Sequence, residues 1–267
     1  MDGTITAEHR VAIEGGVATM TLSRPAQYNA LTATMLEAIT KSFGELERDK
    51  AVRAIVLTGE GKGFCSGQSL DDPALSGSDG KIDIMRAVEA RYNPLLRKML
   101  TLEKPIVAAI NGPVAGAGLG IALACDLRLA AETASFSTAF VRIGLVPDSG
   151  LSFLLPRLIG YARAMEAILL SEKITAQRAY EIGLVNRLCA PENLLSETQA
   201  LAAELARGPR ALGLAKRELA YNTFVARGID EALRYEAEMQ AIAGGTSDFA
   251  EGLAAFREKR APNFSGT

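Results

Sequence analysis

Two short runs of alternating apolar and polar residues open the chain. Val11-Ala12-Ile13 and the run from Val17 to Leu22 flank Gly15-Gly16, a pattern that predicts a β-hairpin. The spacing then changes. Met35, Leu36, Ile39, Phe43 and Leu46 recur at helical intervals, and Thr34 with Glu37 reads as a capping box at the start of that helix. "AIVLTG" (54–59) is a short apolar strand ending in glycine. Residues 104–132 spell strand, glycine-rich turn, helix and strand, and the alternation continues through "ASFSTAF" and residues 163–188. This is the pattern of an α/β protein assembled from repeated β-β-α turns. Beyond Pro191 only helical spacing remains, broken at Gly208-Pro209, Gly228 and Gly244-Gly245. The expected division is an α/β core over residues 1–195 and a helical C-terminal part over 196–267.

Composition narrows the chemistry. The 267 residues are 48% hydrophobic, enough for one large core. With 29 basic and 31 acidic residues the net charge is −2, which argues against a nucleic-acid surface. No apolar run is long enough to span a bilayer, and "MDGTITAEHR" lacks the order of a signal peptide, so no membrane association is expected. Cys65, Cys125 and Cys189 are odd in number and lack metal-ligand spacing. They read as free thiols of a cytoplasmic protein. His9 is the only histidine and there is no tryptophan. A Ser-His-Asp triad and a multi-histidine metal site are therefore excluded, and no metal is expected. Carboxylates, backbone amides and hydroxyls remain.

Three places can carry such chemistry. "GKGFCSGQSL" (61–70) follows one predicted strand and "NGPVAGAGLGIAL" (111–123) follows another. In the second loop the amides of Gly116, Ala117 and Gly118 open a helix, where unpaired N–H groups meet the positive end of the dipole. Two such loops on neighbouring strand ends can aim two donors at one oxygen, the arrangement of an oxyanion hole. Taken singly, each loop is equally well explained by tight turning or close packing. The third place is Asp148 in "AFVRIGLVPDSG" (139–150), an acid among apolar residues. It is either a turn residue after Pro147 or a group placed to move a proton.

Six segments together resemble the enoyl-CoA hydratase/isomerase family, the crotonase superfamily, nearly end to end. They are "LSRPAQYNAL" (22–31), "GFCSGQSL" (63–70), residues 104–130, "FVRIGLVPDSGLSFLLPRLIG" (140–160), "ITAQRAYEIGLVNRL" (174–188) and "AFREKRAPNF" (255–264). The resemblance implies a crotonase-like spiral of β-β-α turns with a helical trimerisation region, hence a homotrimer or a hexamer. It implies an acyl-CoA thioester as substrate and no separate cofactor, since CoA is part of that substrate. By position, the amides of Gln68 and Ala117 would hold the thioester oxygen. Ala26, Gln27, Tyr28 and Ser66 would line the CoA path. Phe256 and Lys259 would reach the nucleotide end of CoA, often across a subunit boundary.

The departures from the family pattern select a branch. Hydratases of the family use two glutamates, and the matching positions here are Gly120 and Phe140. Asp148 remains, at the position of an aspartate used by isomerases and aryl-CoA dehalogenases. The dehalogenases also rely on a histidine and a tryptophan, and this chain has no tryptophan and only the distant His9. The resemblance is greatest to the ring-epoxide isomerases of phenylacetate catabolism, with double-bond migration in enoyl-CoAs as a related activity. Hydration with Asp148 alone and silent acyl-CoA binding are the competing expectations. Phe140, Leu145 and Val146 are expected to screen Asp148 from water and raise its pKa. Ser69 replaces the family's usual aspartate, with Asp71 and Asp72 close behind. The region 71–98 is expected to shape the acyl pocket.

Overall fold

The computed structural model describes residues 5, 6, 8–76 and 82–267. Residues 77–81, part of the segment expected to shape the acyl pocket, lie outside the described residues.

The alternating runs pair as their pattern requires. Strand β2 (His9–Glu14) lies antiparallel to β3 (Val17–Leu22), with Val11 opposite Met20. Gly15 and Gly16 turn between them at φ of 56° and 82°, values suited to a two-residue hairpin loop. β1 (Ile5–Thr6) adds antiparallel to β2. On the other side β4 (Ala54–Gly59) and β5 (Ile106–Ile110) add in parallel. Every residue of both strands is buried, as expected of parallel strands covered on both faces.

The chain then passes repeatedly between two sheets. β5 leads to β6 (Val114–Ala115), and β7 (Leu127–Ala131) leads to β8 (Ser135–Ser137). β9 (Ile174–Thr175) and β10 (Arg187–Cys189) reverse that order. The large sheet runs β1-β2-β3-β4-β5-β7-β10 and the small one β6-β8-β9. Helices α1 (Ala33–Arg48), α2 (Ile84–Ala87), α3 (Asn93–Thr101), α4 (Ala117–Leu123), α5 (Leu151–Ile159), α6 (Tyr161–Leu170) and α7 (Ala176–Glu181) fill the connections. The β-β-α repeats read from the sequence are thus present.

α8 (Leu194–Ala206) lies across β3, β4, β5 and β7. Leu194, Thr198, Ala202 and Ala206 recur every fourth residue along its buried face. α9 (Ala211–Phe224) packs on α3 and on α10 (Ile229–Gly244), which carries α11 (Ser247–Glu258). The buried Asp248 accepts from the Arg210, Ser265 and Gly266 N–H groups and ties α11 to the chain's last residues. His9 belongs to the core, fully buried with Nε2 2.9 Å from the Ser42 hydroxyl. Burial lowers its pKa, against the opposing charges of Glu45 and Glu8.

One expectation is corrected. The cap of α1 is Thr32, not Thr34. Thr32 is extended (φ −103°, ψ 165°) and its hydroxyl accepts the Met35 N–H at 3.1 Å. The Ala33 N–H is taken by Asp72 Oδ2 at 2.7 Å, so the helix begins one residue after Thr32. Thr34 already lies inside the first turn. We predict that Thr32→Ala lowers unfolding free energy by about 0.5–2 kcal/mol in urea titration, the usual cost of a lost N-cap, and that Thr34→Ala costs less.

Candidate active site

The first loop is held by backbone pairing on both flanks. Cys65 bridges to Val114 and Gln68 bridges to Leu31, each in parallel. The Leu31 N–H donates to the Gly67 carbonyl at 2.7 Å, and the Ser69 N–H donates to the Leu31 carbonyl at 2.8 Å. The fully buried Asn29 supports the same loop. Its amide donates to the Gly63 and Glu60 carbonyls at 2.8 and 3.0 Å, and its oxygen accepts the Arg24 N–H. Tyr28 and Asn29 take left-handed φ of 49° and 56°, which folds the segment after the Pro25–Gln27 turn against the loop. The Ser66 N–H donates to the Tyr28 carbonyl, and its hydroxyl donates to the Gln27 carbonyl. The structure therefore brings Ala26, Gln27, Tyr28, Ser66 and Gln68 to one edge, with Tyr28 and Ser66 exposed.

The second loop meets the first at Gly67, whose φ is +92°. A Cβ there would stand 3.0 Å from the Ala115 carbonyl oxygen and 3.4 Å from the Ala117 nitrogen, so an alkyl side chain would crowd the junction. Ala117 is the first residue of α4, after Gly116 at φ +53°. Among the described residues neither the Gln68 nor the Ala117 N–H donates to a protein acceptor. In a trans peptide the N–H points opposite to the preceding C=O. Because the Gly67 carbonyl faces Leu31, the Gln68 N–H faces away from it. Two adjacent, uncommitted donors can stabilise charge developing on one oxygen.

Asp148 is half-buried. Burial pushes its pKa up, while the Ser149 hydroxyl, donating at 2.7 Å, acts in the opposite direction. Its backbone does form a turn, for the Leu151 N–H donates to the Asp148 carbonyl. Its carboxylate does not cap α5, whose N-cap is Gly150 with no side-chain cap bond. The backbone thus serves the turn, and the carboxylate is left without a helix-capping role.

Two residues of this neighbourhood had no role assigned by sequence reasoning. Tyr92, 3% exposed, donates its hydroxyl to Gln68 Oε1 at 2.5 Å. Burial raises its pKa, and the charges of Cys65, Asp148 and Asp72 act in the same direction. The signal available in the sequence was a tyrosine directly before Asn-Pro in a helical run. The other is Cys65, fully buried, with its Sγ 2.7 Å from where a Gly118 Cβ would stand on α4. Desolvation pushes its thiol pKa up to about 12.

The remaining expectations divide. Phe140 is buried, with its ring 4.0 Å from a Cβ placed on Gly116, and Leu145 is half-buried. Val146 is 79% exposed and does not screen Asp148. Its side chain points out because Phe140–Ile143 form a single 3-10 turn that the Leu145 N–H closes onto the Phe140 carbonyl. Phe256 is 83% exposed on α11, and Lys259, the left-handed C-cap of that helix, forms no ion pair among the described residues. Among the described residues no hydrogen bond or ion pair joins this pair to the two loops. Ser69 is buried and Asp72 is committed to capping α1, so neither supplies the aspartate usual in the family. Among the described residues no group of three or more His, Cys, Asp or Glu is arranged to hold a metal ion, and no helix is long and apolar enough to cross a membrane.

A family profile described as Enoyl-CoA hydratase/isomerase matches residues 12–267. The chain belongs to the enoyl-CoA hydratase/isomerase family. It is 40% identical over 255 residues to the 1,2-epoxyphenylacetyl-CoA isomerase of Escherichia coli (strain K12), covering 95% of this chain and 97% of that protein. It is 41% identical over 257 residues to a protein of Rhodobacter capsulatus named probable enoyl-CoA hydratase, covering 96% and 97% respectively. The crystal structure of an enoyl-CoA hydratase from Bacillus anthracis superposes with a TM-score of 0.90 at 32% identity, covering 97% of this chain and 100% of that one. The fold is the crotonase fold, with a helical C-terminal part.

For an enoyl-CoA hydratase/isomerase, the missing acid at position 120 has a steric cause. A Cβ on Gly120 would stand 2.2 Å from the Ser149 carbonyl oxygen and 2.8 Å from the Ser149 Cβ. The Asp148-Ser149 backbone fills the space that a glutamate on α4 would need. No side chain at position 120 fits this backbone without displacing Ser149.

Two outcomes follow from this geometry. Gly120→Glu should lower the melting temperature and yield no water addition to a 2-enoyl-CoA, because the side chain must displace residue 149 before it reaches any ligand. Asp148→Asn should be more stable than the parent at pH 7. A folded pKa raised by burial means the neutral acid is the better-tolerated form. The contribution of Asp148 is most favourable below the ordinary aspartate pKa of about 3.9 and is lost as pH rises through its raised folded value. Urea midpoints of the two proteins should therefore converge as pH falls toward 4, and a constant gap would mean that burial of the charge is not the cause.

Proposed function

We propose that this protein is an acyl-CoA isomerase that shifts a proton, and with it a double bond, through a thioester enolate held by the Gln68 and Ala117 amides. The reading rests on one observation. Asp148, a carboxylate with a raised pKa, precedes Ser149, which packs on Gly120 of the helix that the uncommitted Ala117 amide opens, while Gly120 and Phe140 occupy the positions of a hydratase's glutamates.

With a 3-enoyl-CoA, the Asp148 carboxylate takes a proton from C2. The C–H electron pair becomes the C1–C2 double bond and the carbonyl π pair moves onto oxygen. Two N–H donors favour this oxyanion over the neutral carbonyl, and losing one such donor commonly costs ~2.7–4 kcal/mol of barrier lowering. The dienolate then takes the proton back from Asp148 at C4, leaving the double bond between C2 and C3. One group serves as base and then as acid, which suits a 1,3-shift. A raised pKa narrows the gap between the two proton transfers. With a ring-epoxide phenylacetyl-CoA, the same polarised thioester would assist ring expansion. The 40% identity to a 1,2-epoxyphenylacetyl-CoA isomerase favours this substrate and a place in phenylacetate catabolism. CoA enters only as part of the substrate, and the free, buried cysteines fit a reducing cytoplasm.

The active form is proposed to be a homotrimer or a hexamer of two trimers. Leu219, Val225, Ile229, Leu233, Phe249 and Phe256 on and around α9–α11 are each more than half exposed, a costly surface for a lone chain. A neighbouring subunit would also bring Phe256 and Lys259 to a CoA nucleotide. Sedimentation showing a stable, active monomer would refute the assembly. Lys259→Ala should raise KM for CoA thioesters more than it lowers kcat, because a phosphate contact far from the reacting carbons is uniform binding.

Asp148→Asn decides the chemistry. Asparagine suits the turn but cannot cycle a proton. A loss of ~10²–10⁴-fold in kcat is expected for isomerisation of a 3-enoyl-CoA in deuterated water, with binding of a non-reacting acyl-CoA preserved. Retained turnover and deuterium exchange would remove Asp148 from the mechanism. Water incorporated into the product by the parent enzyme would favour hydration. Binding without any proton exchange would favour a silent acyl-CoA binder.

A further inference from the structure

The segment 84–101 does not run as one regular helix. Between α2 and α3 lies a π-helical turn, Val88–Tyr92, in which the Asn93 N–H reaches back to the Val88 carbonyl, five residues earlier. Pro94 accounts for it. Proline has no N–H to give to the Ala90 carbonyl, and its ring would strike the preceding turn of an α-helix. The extra residue relaxes that clash and rotates everything before it. At the end of the wide turn stands Tyr92, almost wholly buried, with its hydroxyl 2.5 Å from Gln68 Oε1. The other end of the same carboxamide is also engaged, for Gln68 Nε2 donates to the Ser69 carbonyl at 2.9 Å.

We propose that Tyr92 is a positioning residue for the Gln68 amide, acting through the Gln68 side chain. The inference rests on the reading above that this amide receives the thioester oxygen. Gly67 lacks a side chain to restrain its φ of +92°, so the peptide it shares with Gln68 needs fixing from elsewhere. The Gly67 carbonyl is fixed by Leu31. The rotation left at Gln68 is limited by its own side chain, and that side chain is locked only while both ends of the carboxamide are bonded. Tyr92 supplies the bond that comes from outside the loop. A preorganised donor stabilises a developing oxyanion because nothing must reorient as the charge forms. Tyr92 touches neither substrate nor reacting atoms in this account. It sets the direction of a group that does.

The test combines Tyr92→Phe, Gln68→Met and the double variant, assayed with a 3-enoyl-CoA and with a bound 2,4-dienoyl-CoA whose absorption moves to longer wavelength when its carbonyl is polarised. Tyr92→Phe should lower kcat about tenfold with KM within about twofold, the signature of an interaction that matters in the transition state. It should also reduce the spectral shift seen with the parent protein. Gln68→Met keeps the backbone N–H but removes the carboxamide and should behave alike. The double variant should be no worse than the poorer single one, since both act through one bond. A full spectral shift and unchanged kcat in a folded Tyr92→Phe protein would overturn the proposal, as would multiplicative losses in the double variant. Absence of any shift in the parent protein would instead refute the oxyanion reading of Gln68, and this inference with it. Circular dichroism and melting of each variant separate a folding defect from either result, and a Tyr92→Phe protein that melts normally with a spectral loss meets the proposal in full.

Discussion

Everything at the site depends on a short stretch of backbone, residues 65–69, being paired along both edges. On one side it meets the strand that enters α4, and on the other it meets Leu31. Hydrogen-bonded backbones keep a separation near 4.8 Å. The two loops therefore have little freedom to drift apart, although neither is part of a long strand. The Gly67 carbonyl takes its direction from this double pairing, and the Gln68 carboxamide, bonded to Tyr92 and to Ser69, limits the rotation that remains. The buried Asn29 reinforces the arrangement from below. A loop rich in glycine, which alone would sample many conformations, is thus held by neighbours rather than by its own sequence.

The same lack of water acts on each titratable group nearby. Asp148, Tyr92 and Cys65 all have raised pKa values, and desolvation is the leading cause for each. One physical condition favours the neutral carboxyl, keeps the phenol a neutral donor and keeps the thiol protonated. It also strengthens any hydrogen bond offered to a ligand oxygen, since fewer solvent dipoles compete for the charge. The site is organised by its dryness as much as by its residues.

Much of this was legible in the chain. Hairpin, buried parallel strands and the β-β-α repeats follow from spacing, because side-chain period and backbone geometry are linked. Both glycine loops and Asp148 stand out in the sequence because small residues at strand ends and an acid among apolar neighbours are local patterns. What escaped depended on contacts between distant residues. Thr32 and Thr34 offer the same chemistry, and only Asp72, reaching Ala33 from 39 positions away, shows where α1 begins. Asn29 bonds carbonyls 31 and 34 residues on, and Tyr92 bonds a residue 24 positions back, so no local pattern announces either one. Val146 shows the opposite error. It looks like a screen by composition, yet a tight turn at 140–145 faces it outward.

Cys65 adds a constraint of chemical selectivity. A thioester is an acyl donor, and a thiolate is a strong nucleophile toward it. The protein places a cysteine, buried, within the loop proposed to hold the thioester oxygen, where polarising the carbonyl also makes its carbon more open to attack. That arrangement would invite acylation of the enzyme if the sulfur were ionised or free to approach. Its pKa near 12 leaves almost no thiolate at neutral pH. Its packing against α4, which leaves no room even for a methyl group at Gly118, holds the sulfur against that helix. Activation of the carbonyl can thus be directed to the acidity of neighbouring C–H bonds while the C–S bond of the substrate is left intact.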